Sequence, residues 1–125
     1  ATKTANLAES KQPDPQKDLI QFEDFAKMDI RIGTILEAEK MPKANKLLVL
    51  KVDTGIDVRT IVSGIAESFS PEEIIGKRVS VLANLAPRAL RGVESQGMIL
   101  MTTNAEGKLV FVNPDADAPN GATVN

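Results

Sequence analysis

The chain has 125 residues, 42% hydrophobic and 26% charged, with a formal net charge of −2; this suits one globular domain plus a tail. Cysteine and histidine are both absent, which excludes disulfides, zinc sites built on Cys or His, and Ser-His-Asp or Cys-His catalysis within this chain. The only aromatics are four phenylalanines, so the core must be aliphatic, and the short runs of Val, Ile and Leu favour strands.

No apolar run reaches the roughly eighteen residues of a membrane span, and the polar opening stretch has no signal-peptide pattern. A reducing, cytoplasmic setting is expected. The charge is unevenly placed. Residues 1–30 carry four basic and six acidic side chains, residues 31–60 six and four, residues 61–97 four each, and residues 98–125 one and three. The middle of the chain is therefore net positive between acidic ends, a weak pointer to an anionic partner over a merely solvated surface.

In chain order, residues 1–20 are polar and contain two prolines; they read as a linker or disordered arm, with the domain proper over 21–125. In QFEDFAKMD, Phe22 and Phe25 fit one helical turn that would plug an end of the core. In MDIRIGTILEAEKM, Met28, Ile30 and Ile32 share a face that continues through Thr34, Leu36 and Ala38, with Gly33 on the outer face allowing a bend. PKANK is a turn. KLLVLKVDTG is a second strand with Leu48, Leu50 and Val52 inward; Leu47 and Val49 leave part of its outer face apolar, to be covered by another element or subunit.

VRTIVSG is a third strand. SFSPEEIIGK is a one-turn helix with Ser70 as N-cap, Pro71 at its first position and Gly76 as its stop. KRVSVLAN is a fourth strand with Val79, Val81 and Ala83 on one face. A loop over 83–97 leads to a fifth strand, GMILMTTN, and AEG turns it into a last strand, KLVFVN. The tail PDADAPNGATVN either frays or packs as an irregular extension. The order predicts an all-β fold: a five-stranded Greek-key barrel of the OB type, with a one-turn helix between strands 3 and 4 and a C-terminal hairpin and extension. An open sandwich is the competitor.

Glu37 with Glu39, and Glu72 with Glu73, are better explained by solvation and helix-end preference than by acid–base chemistry. No metal, cofactor or phosphate-loop pattern occurs. Two stretches suit nucleic acid. Lys43, Asn45 and Lys46 bring cations and an amide to one turn, although alone that motif reads as a solvated turn. ANLAPRALRGVESQGM sets Asn84, Arg88, Arg91, Ser95, Gln96 and Met98 between two barrel strands, where OB folds carry a binding loop. If the segment formed a helical turn, Arg88 and Arg91 would share a face. Met98 by itself suits the core. Without Trp or Tyr to stack bases, recognition of a folded RNA by backbone and shape fits best.

The stretches DIRIGTILEAEKMPKANKLLVLKVDTG, TIVSGIAESFSPEEIIGKRVSVLANLAPRALRGVESQGMIL and NPDADAPNGATV resemble the tRNA-binding domain appended to bacterial methionyl-tRNA synthetase. The same domain occurs as a free-standing bacterial tRNA-binding protein and in endothelial-monocyte-activating polypeptide. The resemblance covers residues 22–124 and implies an OB fold, a homodimer, no cofactor, no membrane, no catalysis by this chain itself, and tRNA binding with little sequence preference.

On this resemblance, residues 1–20 would be the linker from a catalytic body carried in cis. The resemblance sets Lys43, Asn45 and Lys46 in the family's basic turn, Asn84, Arg88 and Arg91 in its loop and Ser95, Gln96 and Met98 in its SQGM signature; as an RNA binder the chain would meet phosphates with Lys43, Lys46, Arg59, Arg88 and Arg91, and sugar or base edges with Asn45, Asn84, Ser95 and Gln96. Where the family often has His before its Asn-Lys turn, this chain has Met41-Pro42-Lys43. A secretion-associated chaperone family shares the domain. That makes a protein-interaction module, using Leu47 and Val49, the alternative.

Overall fold

A computed structural model describes residues 13–125. Of the expected arm over 1–20, residues 13–20 are exposed without regular structure; the remainder lies outside the described residues. Helix α1 (Phe22–Ala26) begins with a capping box, in which the Gln21 amide donates to the Asp24 carboxylate at 3.1 Å. The Phe22 and Phe25 rings lie on one side, centroids 6.5 Å apart. They do not plug the core as expected: Phe22 is 75% exposed and no residue of α1 is buried. The two rings pair with each other and belong to neither core cluster, and only Phe25 is half-buried.

The strands that follow are β1 (Ile30–Lys40), β2 (Leu48–Asp53), β3 (Val58–Ser63), β4 (Arg78–Leu82), β5 (Arg88–Leu90), β6 (Val93–Ser95), β7 (Met98–Ile99), β8 (Met101–Thr103) and β9 (Leu109–Phe111), with helix α2 (Pro71–Ile74) between β3 and β4. The main sheet runs β3-β2-β1-β4-β7, antiparallel throughout. β1 serves two partners. Its first half pairs with β4 and its second with β2, and Thr34 is shared between Arg78 and Asp53. Gly33 lies at this changeover. A Cβ there would stand 2.7 Å from the Asp53 carbonyl oxygen and 3.2 Å from Val52 Cγ1, so glycine permits the close crossing of β1 and β2. It is buried against β2, not on an outer face.

The expected alternation of β1 fails at a second point. Ile35 is fully buried and Leu36 is 44% exposed. The β1–β2 register shifts between Ile35 and Glu37, a β-bulge that inserts Leu36 as an extra, outward residue. Beyond it Ala38 again packs on the core. Ile32 is buried outside the main cluster, beside the returning tail; its amide donates to the Ala122 carbonyl at 2.9 Å and its carbonyl accepts from Gly121 at 2.7 Å.

The core itself follows the sequence pattern. Leu48, Leu50 and Val52 are fully buried with Ile35, Ile61, Ile74, Val79 and Val81, each side chain stabilising the fold by about 1.5–3 kcal/mol on transfer from water. Phe69 and Phe111 stack at 5.1 Å and pack against that cluster. α2 is capped as expected: the Ser70 amide donates to Glu73 Oε1 at 2.6 Å, Pro71 opens the turn, and Gly76 (φ 88°) ends it.

The loop over 83–97 and the fifth strand differ from expectation, while the tail takes the second of its two expected courses. The loop over 83–97 contains a β-hairpin, β5–β6, and the expected fifth strand breaks at Leu100 into β7 and β8, the latter paired with β9. The tail packs: Thr123 bridges to Arg31, and the Val124 amide donates to the Ile30 carbonyl at 2.8 Å, giving the first half of β1 a partner on the edge that β2 leaves open. With the one-turn helix between β3 and β4, this is a nearly closed five-stranded barrel of the OB type.

Candidate nucleic-acid interface

The basic turn is anchored from below. Met41 and Ala44 are buried with Val62, and the Ala44 amide donates to the Met41 carbonyl at 3.2 Å. Pro42 then occupies the second place of a four-residue turn and Lys43, at φ 61°, the third. This is the type II pattern, whose third place favours glycine or asparagine. Burying Met41 and Ala44 turns Lys43, Asn45 and Lys46 outward, and all three are exposed.

The hairpin meets this turn. β5 and β6 pair Arg88 with Ser95, Ala89 with Glu94 and Leu90 with Val93. Its two-residue connection, Arg91-Gly92, has φ values of 52° and 83°, the type I′ geometry that prefers Asn-Gly. The helical turn considered from sequence does not form. Leu90 and Val93 pack on the cluster of Met41, Ala44 and Val62, alongside Leu47 and Val49. The apolar outer face of β2 thus shares a small cluster with the chain's own hairpin, which leaves Leu47 and Val49 partly buried. That docking brings Arg91 to the basic turn, where Lys43, Asn45, Lys46 and Arg91 line one open depression of about 450 Å³ with Ala44 and Leu47. Three cations and no carboxylate surround it. Lys43 and Arg91 are also the two non-glycine residues with positive φ among the described residues. Strain of this kind gathers at functional sites.

Arg88 and Met98 line a smaller adjoining pocket of about 100 Å³ with Leu85, Ala86, Leu90 and Ser95; Met98 is 44% exposed, not in the core. The other expected site residues are occupied within the chain. Ser95 is 5% exposed; its hydroxyl accepts from the Val62 amide at 3.0 Å and donates to the Gly97 carbonyl at 3.2 Å. Gln96 Oε1 accepts from the Thr60 amide at 3.1 Å, and the Gln96 backbone N–H donates to the Thr60 carbonyl at 2.8 Å. The side chains of Ser-Gln thus bond the free edge of β3 where a closing strand would, and Gly97 (φ 145°) lets the chain pass within van der Waals reach of β4.

Asn84 accepts from the Asp29 amide at 2.8 Å and donates to the Lys27 carbonyl at 2.6 Å. Arg59 is paired with Asp57 at 2.9 Å and donates to the Ala83 carbonyl. Asp57 escaped sequence reasoning, although its i, i+2 spacing from Arg59 along an extended segment was a legible signal for a same-face ion pair. Its carboxyl is held below the ordinary carboxylate range, first by the hydrogen bond from Arg59 and then by that from Thr54. Among the described residues no group of three or more acidic side chains is placed to hold a metal ion, and no helix is long and apolar enough to cross a membrane.

Residues 30–123 match the family model described as "Putative tRNA binding domain". The chain is 95% identical over 125 residues to the methionine–tRNA ligase of Flavobacterium johnsoniae and 56% identical over 123 residues to that of Cytophaga hutchinsonii. It is covered fully by the first and to 98% by the second, yet spans only 18% of the length of each. Among solved structures, a MetRS-related protein from Pyrococcus horikoshii superposes with a TM-score of 0.78 at 38% identity, covering 86% of this chain and 99% of that one. The chaperone CsaA from Bacillus anthracis does so with a TM-score of 0.76 at 28% identity, covering 86% and 100%.

Proposed function

The chain belongs to the tRNA-binding-domain family, and from that premise we propose that it is the non-catalytic RNA-binding appendix of a methionyl-tRNA synthetase, gripping tRNA by its backbone and shape. The observation that carries this reading is the shared depression of Lys43, Lys46 and Arg91. The two residues there that bear backbone strain are both cations, which is hard to explain by folding alone. Arg88, exposed on the same hairpin, extends the positive surface. Asn45 is placed to hydrogen-bond a ribose or base edge, and Met98 offers an apolar contact. The chain's modest net charge suits a helper that adds affinity to a catalytic body in cis. Two copies would double the surface, so weak sites act together. The cytoplasm, where aminoacylation supplies the ribosome, is its place.

Four phosphate-neutralising cations give a slope of log affinity against log salt of about −3 for folded RNA. Fluorescence anisotropy with labelled tRNA across a salt series measures it. A flat slope refutes the phosphate role of Lys43, Lys46, Arg88 and Arg91. The likeness to CsaA supports a second reading, peptide binding. Leu90 and Val93 of the hairpin pack on the same cluster as Leu47 and Val49, and leave that reading a reduced, partly buried apolar face. Peptide capture that tRNA fails to displace would favour it.

A further inference from the structure

Arg59 stands on β3 opposite both ends of the hairpin segment. Its Nη1 donates to the carbonyl of Ala83, just before the segment, and to that of Gln96, just after it, the latter at 3.4 Å. Its Nε donates to Asp57 at 2.9 Å, and Asp57 in turn accepts from Thr54 Oγ1 at 2.7 Å. Gln96 fastens the same end of the hairpin to the Thr60 amide. A hairpin of two three-residue strands, with a strained arginine in its turn, has no independent stability. The direction in which it presents Arg88 and Arg91 must come from its attachments.

From these contacts we infer that Arg59 and Gln96 are positioning residues: they clamp the two ends of the β5–β6 hairpin to β3 and thereby aim Arg88 and Arg91, without touching RNA themselves. The inference rests on the reading of this surface as the tRNA-binding face. Arg59 is suited to the clamp by chemistry. Its planar fork reaches a carboxylate and two carbonyls at once, which the single ammonium of lysine does not. Its side chain is only 20% exposed. A phosphate would have to displace Asp57 or the carbonyls to reach it.

The test compares Arg59→Gln, Arg59→Lys, Gln96→Ala and Arg91→Gln in the 125-residue chain, by tRNA affinity over a salt series and by amide hydrogen exchange of the free protein. Arg59→Gln and Gln96→Ala should each weaken binding about tenfold, the scale of one or two lost hydrogen bonds, with the salt slope unchanged. Exchange should rise over residues 84–96 while β1 and β2 keep their protection. Arg59→Lys should not rescue affinity. Arg91→Gln should flatten the slope by about one unit.

Should Arg59→Gln flatten the slope by one unit and Arg59→Lys restore it, Arg59 meets phosphate directly and the clamp is overturned. Unchanged exchange over 84–96 in both Arg59→Gln and Gln96→Ala overturns it as well. If Arg91→Gln leaves affinity and slope at parental values, the RNA face itself is refuted, and the clamp falls with it. Gln96 is exposed and uncharged, so Gln96→Ala carries the test if Arg59→Gln fails to fold.

Discussion

Lys43 (φ 61°) and Arg91 (φ 52°) hold left-handed backbone conformations that cost a long side chain about 1 kcal/mol each. Asparagine tolerates that region better. The paired substitution Lys43→Asn with Arg91→Asn removes most of the strain and no buried contact, since both side chains are exposed. Stability should rise by about 1–2 kcal/mol, and the thermal midpoint by about 4–8 °C for a domain of this size. The same change removes two cations from the shared depression. The salt slope of tRNA binding should flatten by about 1.5 units, half of that expected for the four cations, with affinity down about 20-fold near physiological salt. Calorimetry and anisotropy on one preparation read both quantities. If the double variant is less stable and binds tRNA as the parent does, the strain has a purely structural origin and the reasoning fails.

The bulge in β1 predicts a sharp contrast between neighbours: Ile35→Ala should cost about 2–5 kcal/mol in chemical denaturation, and Leu36→Ala within about 1 kcal/mol, because Ile35 is fully buried and Leu36 is not. Gly33→Ala should destabilise by about 1–3 kcal/mol, since its new carbon would meet the Asp53 carbonyl at 2.7 Å; parental stability would show that β2 yields freely. Asp57 has a lowered folded-state pKa, so its contribution is complete above the unfolded value of about 3.9 and is lost as pH falls through the lower folded value. Thermal midpoints of Asp57→Asn should therefore approach those of the parent below about pH 4, while a gap that stays constant with pH would exclude the ion pair as its source.

Much of the barrel was legible because its signals are local. Leu48, Leu50 and Val52 alternate cleanly, and Ser70-Pro71-Glu72-Glu73 announces a helix start whose capping box the structure contains. What failed depends on pairing between distant strands. Nothing in IRIGTILEAEK marks Leu36 as the inserted residue, since the bulge is set by the register against β2. The Phe22–Phe25 pair reads the same on a surface helix as on a plug. In the candidate site, residue types pointed to a set of side chains but not to their separate duties. Ser95, Gln96, Asn84 and Arg59 are chemically suited to bind RNA and to bond backbone, and only the fold reveals their partners within the chain. The meeting of Arg91 with Lys43 and Lys46 depends on how Leu90 and Val93 dock, which no spacing encodes.

A nuclear magnetic resonance titration of the isotopically labelled chain with unlabelled tRNA tests most directly that this face, and no other, receives the nucleic acid. Amide shifts should concentrate in residues 43–47 and 85–98, leaving the β8–β9 hairpin and the tail over 113–124 unmoved. Shifts that gather on the tail or on β8–β9, with the basic turn and Arg91 silent, would contradict it.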